Sequence, residues 1–439
     1  MSQRIVLYYF SFAVFLLSGS LFAQDSRQKT ESAAQPLHRA QRALTSVIVH
    51  DIFSPPVSSR IYVYAHIAGY ETFIQKSDAY KSLNGQIKNF PAIPKAGKNV
   101  SLNLAGVYAF LLTGKSLIFS EKLLEDSIQR IVKSYKKKLP AKVFEASLTY
   151  GKTVSDLILN WAKQDRYGET RKLRRYTFLK EEGKWTPTPP AYMAAIEPNW
   201  KLIRTLTLDS AAQCKPAPAT SFSKEKGSTF HTLASDVYNT VKNLTPEQQA
   251  IANFWDCNPF AVNVHGHINY ATKKLSPGGH WLSIAGIASQ KVNADITKTS
   301  AAYTLTSIAL FDAFISCWDE KYRSNLIRPE TYINAYIDEM WKPLLQTPPF
   351  PEYPSGHSVI STASATVLSN FFGNAFQFVD TSEIEYGYPA RAFDSFTQAC
   401  NEAAISRLYG GIHFRPAIEE GQLQGKKVGE MVLRKISLK

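Results

Sequence analysis

The chain has 439 residues, 44% hydrophobic and 20% charged, enough apolar material for a packed core, which excludes an intrinsically disordered protein. Its net charge of +14 admits a nucleic acid, an anionic surface or a small anionic ligand, and charge alone does not choose among them. The four cysteines (Cys214, Cys257, Cys317, Cys400) show no CxxC or local Cys/His zinc spacing, so they read as core thiols, or one or two bridges at most, and not as a disulfide scaffold.

At the start, Arg4 precedes the apolar run Ile5–Leu17 and small residues lead to Ala23-Gln24, the pattern of a secretory signal peptide over 1–23. That run is short for a bilayer span, and no later segment reads as a membrane crossing, so an exported, periplasmic or secreted chain without stable membrane insertion is expected. Residues 24–42 are polar and read as a flexible lead-in. From Ala43 the rhythm is helical: Ile48 and Phe53 precede a break at Pro55-Pro56, and Ile61–Ala68 and Val107–Leu112 resume apolar helices. Strand-like alternation is scarce, so the fold class expected is all-α, two packed helical bundles with the functional groups in the C-terminal one. The polar, basic, proline-rich interval 163–190 reads as a surface connection between an N-terminal helical region (24–190) and a C-terminal domain (191–439). The clusters Lys136–Lys138 and Arg171–Arg175 lack interleaved stacking aromatics and read as solvated faces, so no nucleic-acid partner is expected.

Three segments of the C-terminal third carry groups suited to an oxyanion. Lys321 and Arg328 pair a point charge with a planar fork, the two complementary ways of holding oxygen anions. Pro354-Ser355-Gly356-His357 opens a helical run to Phe372: Gly356 permits close backbone approach, the helix start presents free N–H groups, Ser355 adds a hydroxyl, and His357 is a potential acid or base. In the third, Arg407 ends an apolar helix and His413 follows Gly410-Gly411, which frees the imidazole to be aimed as a ligand or nucleophile.

These segments resemble the signature of the vanadium-dependent haloperoxidase and type 2 phosphatidic acid phosphatase superfamily: Lys-x6-Arg-Pro at Lys321, Arg328 and Pro329, Pro-Ser-Gly-His at 354–357, and Ser-Arg-x5-His at Ser406, Arg407 and His413. Pro277–Trp281 and Thr188–Tyr192 look like the exported bacterial haloperoxidase-like branch. The resemblance implies that Lys321, Arg328, Ser355, the Gly356 N–H and Arg407 hold the equatorial oxygens of vanadate, or of phosphate in the same place. His413 would bind vanadium or attack phosphorus, and His357 would act as acid/base at the apical oxygen. One site serves both because bound vanadate and phosphoryl transfer in flight are both trigonal bipyramidal.

Trp318 and Phe350 match aromatic positions near the halide in vanadium chloroperoxidases, which favours halide oxidation by hydrogen peroxide. The departure is Ala417, where the phosphatase signature expects an aspartate to orient the histidine; Glu419 and Glu420 are misplaced by about half a helical turn or more. The alternatives are an exported acid phosphatase acting on phosphate esters with His413 as nucleophile, and a non-catalytic oxyanion binder. Asp312, on an apolar helical stretch, reads as backing a cationic site residue. His265-Gly266-His267 reads as a loop, because no further ligand stands at usable spacing.

Overall fold

A computed structural model describes residues 33–259, 261–265, 268–271 and 273–439; the expected signal peptide lies outside them. The chain is all-α, as expected. Helices α1 (Gln35–His50), α2 (Pro55–Phe73), α3 (Leu102–Lys115), α4 (Glu121–Lys136) and α5 (Ala141–Ala162) form the first bundle. After the single turn α6 (Tyr167–Thr170) comes a long irregular stretch, then α7 (Thr229–Lys242), α8 (Pro246–Phe254) and the antiparallel hairpin β1 (Val262–His265) and β2 (Ile268–Ala271). The second bundle contains α9 (Pro277–Lys291), α10 (Ile296–Ser324), α11 (Pro329–Tyr336) and α12 (Gly356–Phe372). A second hairpin, β3 (Phe378–Asp380) with β4 (Arg391–Phe393), precedes α13 (Phe396–Tyr409) and α14 (Arg415–Lys435). His265 ends β1, and Gly266-His267 falls outside the described residues.

Helices α2 and α10 explain how the bundles join. All of α2, and α10 from Thr299 to Lys321, are buried, because apolar and small residues lie around most of the circumference of both rather than along one stripe. They pack on each other, so one hydrophobic core runs across residue 190. With 29 residues α10 is long and apolar enough to cross a membrane, which corrects the sequence reading; its apolar span is fully buried inside the protein, where it serves as the central strut.

The lead-in also needs correcting, because α1 begins at Gln35. Leu37, Ala40, Leu44, Val47 and Ile48 fall on one buried face with polar residues between them, an amphipathic pattern hidden by its average polarity. The interval expected to run over the surface does so only in part. Arg171–Arg175 and Lys136–Lys138 are exposed, but Trp185 is buried, its main-chain N–H donates to the Asn325 carbonyl at 2.9 Å, and the Ile327 N–H donates to the Gly183 carbonyl at 3.0 Å. All four cysteines are buried free thiols.

Helix α14 seats α12. Gly421, Gly425 and Gly429 follow one face of α14, and a Cβ built on them would lie 2.9 Å from the Ser355 oxygen, 2.3 Å from the Val359 oxygen and 2.7 Å from Thr366 Cβ. Main chains this close tolerate no side chain between them, and the contact fixes where the N-terminus of α12 points.

Candidate oxyanion site

Each predicted residue sits at an element boundary. Lys321 lies in the last turn of α10; Asn325, in the left-handed conformation (φ 50°), reverses the chain; and Arg328 becomes the residue capping the start of α11. Ser355 caps α12, accepting the Ser358 N–H at 3.3 Å, so its own hydroxyl proton stays available, as do the first N–H groups of the helix at Gly356 and His357. Arg407 lies in the last turn of α13, and Gly411 (φ 75°) turns the chain against Val241 and Pro343, where no β-carbon fits, to deliver His413.

The structure brings together the three cations, Ser355, Gly356 and both histidines. Gly356, His357, Arg407 and His413 line one cleft with Trp318 and Phe350, whose rings meet at 5.1 Å. The aromatic pair is held by polar contacts, with Trp318 Nε1 donating to the Ile196 carbonyl at 3.1 Å and Lys321 Nζ lying 5.0 Å from the Phe350 ring centre.

The Arg328 guanidinium donates to the Phe350 carbonyl (2.9 Å) and the Ile412 carbonyl (2.8 Å), and its Nη2 is buried without a partner. Arg407 donates to the Trp255 carbonyl at 2.8 Å. Lys321 Nζ is spent on the carbonyls of Pro351, Glu352 and Pro354 at 2.9, 3.1 and 2.6 Å, so it reaches an anion only by exchanging one of them. Burial, with the nearby Arg328 charge adding to it, lowers Lys321 to about 7, and burial lowers Arg328 to about 10. Three desolvated cations without a matching set of carboxylates form a site whose missing component is an anion.

The histidine finds a carboxylate that the sequence reading did not supply. His413 Nδ1 lies 2.8 Å from Glu352 Oε1, which also accepts the Phe414 N–H at 2.9 Å. An oxygen already accepting one N–H assigns Nδ1–H as the second donor, which leaves Nε2 as the acceptor end of the ring, taking a hydrogen bond from Arg328 Nη1 at 3.2 Å. Burial and the cations Arg328, Lys321 and Arg407 hold His413 far below its usual range, so it stands neutral, while burial raises Glu352 to about 7. Ala417 is therefore no gap. It is buried, and its carbonyl accepts the Ser355 N–H at 2.9 Å; Glu419 is exposed and Glu420 accepts the Ala217 N–H. The only local hint of Glu352 was an acid inside the apolar stretch Pro348–Pro354, since its contact with His413 spans 61 positions.

His357 donates one ring N–H to the Trp255 carbonyl, and its Nε2 is buried with no partner. Burial and the Arg407 charge keep it neutral, leaving an unpaired acceptor beside the anion donors. Asp312 does not back a site cation. Its oxygens accept the N–H groups of Leu206 (2.8 Å), Thr207 (2.7 Å) and Leu208 (3.3 Å) and the Thr207 hydroxyl (2.6 Å), tying the irregular stretch to α10. A buried acid does need partners, and these are main-chain donors rather than Lys321 or Arg328.

A family model described as the VCPO second helical-bundle domain matches residues 301–438, the part that holds all three motifs. No curated protein matches the chain. Among solved structures, one described as the first bacterial vanadium-dependent iodoperoxidase is 47% identical with a TM-score of 0.88, over 93% of this chain and 97% of that one. A holo-type bacterial vanadium-dependent chloroperoxidase shares the fold at 14% identity, with a TM-score of 0.66 over 88% of this chain and 93% of that one. Identity of that extent over nearly the whole of both chains, joined to the three motifs around one cleft, places the chain in the vanadium-dependent haloperoxidase family, a family of oxidoreductase enzymes.

Proposed function

We propose that the protein is an exported, vanadate-dependent haloperoxidase that oxidises halide with hydrogen peroxide, with iodide as its preferred halide. The observation that carries the reading is the Glu352–His413 pair: a neutral imidazole, fixed by its Nδ1–H, presents its Nε2 lone pair, met by Arg328 Nη1 at 3.2 Å, among three desolvated cations. A deprotonated ring nitrogen held by a carboxylate is what a metal ligand requires, and unpaired N–H donors are what the oxygens around that metal require. The orphaned Arg328 Nη2 and the free Ser355 hydroxyl, Gly356 N–H and Arg407 fit an oxyanion. Bound vanadate supplies a Lewis acid that polarises peroxide oxygen toward attack by halide.

The chain does the rest. Arg328, Arg407 and Lys321 offset the anion's charge in a site that carried their desolvation cost beforehand. His357, its ring aimed by the Trp255 carbonyl, has an unpartnered Nε2 that would exchange a proton with an oxygen of the bound anion. Trp318 and Phe350 give a polarizable, largely dry wall. Iodide is supported by the 47% identical relative described as an iodoperoxidase and by this apolar wall, which suits the least strongly hydrated halide.

A second reading, phosphate-ester hydrolysis with His413 as nucleophile, is favoured by the same pair, since Glu352 provides the orienting carboxylate that Ala417 lacks. Vanadate binding to wild type and His413→Ala, followed with an aryl phosphate assay in parallel, separates the readings. The expected outcome is tight binding abolished by the substitution, with negligible phosphate release. Unchanged vanadate affinity in His413→Ala would remove the reading, and vanadate-inhibited phosphate release by wild type would establish the alternative.

A further inference from the structure

We propose that Cys257, His280 and Glu383 form a second site, specific for a divalent transition-metal ion of the zinc class. The residues come from the segment after α8, the first turn of α9 and the turn after β3, and all are buried. Their spacing in sequence matches no zinc motif, and the fold alone joins them. His280 Nδ1 lies 3.3 Å from Cys257 Sγ and 3.3 Å from Glu383 Oε1, and the three atoms fall within 4.8 Å of one another. Tetrahedral zinc, with bonds of about 2.0–2.3 Å to nitrogen, oxygen and sulfur, sets its ligand atoms roughly 3.3–3.6 Å apart.

The surroundings repeat the arrangement found behind metal-bound histidines. His280 Nε2 lies 2.7 Å from Asp380 Oδ2, and the other Asp380 oxygen is held by the Ser382 N–H (2.9 Å) and hydroxyl (2.6 Å). With its Nε2–H held by a fixed carboxylate, the ring aims Nδ1 at the thiol and Glu383. The ring also stacks on Trp255 at 4.6 Å. An independent observation points to a missing ligand: Glu383 Oε1 is buried and has no hydrogen-bond partner, although it faces the imidazole. One nitrogen cannot serve thiol and carboxylate at once, whereas one cation can. Thiolate and carboxylate balance the charge of a divalent ion; binding displaces the protons on Sγ and Nδ1, so affinity falls as pH is lowered.

Cys257 lines the oxyanion cleft, which gives the ion its path inward. The site also touches the proposed chemistry indirectly, because the Trp255 carbonyl accepts from Arg407, from His357 and from the Cys257 N–H (2.8 Å).

The test uses the whole chain, purified without a metal-affinity step, stripped with chelator and titrated with Co²⁺ and then Zn²⁺. Expected is one Co²⁺ per chain with a thiolate-to-cobalt charge-transfer band and tetrahedral d–d absorption, displaced by Zn²⁺. Cys257→Ser should abolish the charge-transfer band, and Asp380→Asn should weaken Zn²⁺ about 10–100-fold. A wild-type protein without that band, or a Cys257→Ser protein that keeps it, would overturn the site, and the wild-type result stands even if a variant fails to fold. None of these readouts depends on halide oxidation.

Discussion

Glu352 and His413 act as one unit. With the carboxylate present, the imidazole has one tautomer and one orientation; as an amide, Glu352→Gln can offer an N–H to Nδ1 and shift the lone pair to the wrong nitrogen. Glu352→Gln is expected to lose about 10–100-fold in vanadate affinity, read by titration, with the fold intact by circular dichroism. Lys321 sets the pH dependence. Burial has brought it to about 7, and an adjacent anion favours its charged form, so anion binding is coupled to proton uptake there. Below about pH 7 the lysine is already charged and its contribution is full; as pH rises above that value the contribution is lost. The ratio of wild-type to Lys321→Met affinity for vanadate should therefore be flat below about pH 7 and decline above it, a comparison in which the anion's own ionisation cancels. Lys321, Arg328, Ser355, Arg407 and His413 were readable because their spacing lies within three short segments. Glu352 was not, because only tertiary structure sets it opposite His413, and Asp312 was misassigned because burial of an acid says that it has partners without saying which.

At the level of helices, the close approach of α12 and α14 positions the site. Gly425→Ala places a methyl group against the Val359 carbonyl, a main-chain atom that cannot step aside, and is expected to cost about 1–3 kcal/mol in denaturant unfolding. Vanadate affinity should fall with it, since Ser355 and Gly356 move with α12. Gly168→Ala in α6, where nothing lies within 4 Å of the added carbon, should be near neutral. The long apolar helices were legible from their three-to-four spacing and the proline breaks. Helix α1 was hidden by its polar face, and the ordered part of the 163–228 stretch by its composition: its partners, Asn325, Ile327, Pro349 and Asp312, are remote in sequence.

Across the whole molecule, α2 and α10 share one core, so the two bundles should unfold together rather than in sequence. Calorimetry is expected to show one main transition, raised by vanadate. At a free concentration a hundred times Kd the shift corresponds to about 2.7 kcal/mol of added stability. A lower transition unaffected by vanadate would show the first bundle melting independently. The net charge of +14 belongs to this scale as well: only the desolvated fraction at Lys321, Arg328 and Arg407 bears on the anion, and the exposed clusters near 136–138 and 171–175 do not.

The most direct measurement is peroxide-dependent oxidation of iodide by the purified, metal-stripped chain, assayed with and without added orthovanadate. Turnover that appears only with vanadate and is lost in His413→Ala is the predicted result. Iodide oxidation that is equal with and without vanadate, or none in a protein that binds vanadate tightly, would contradict it.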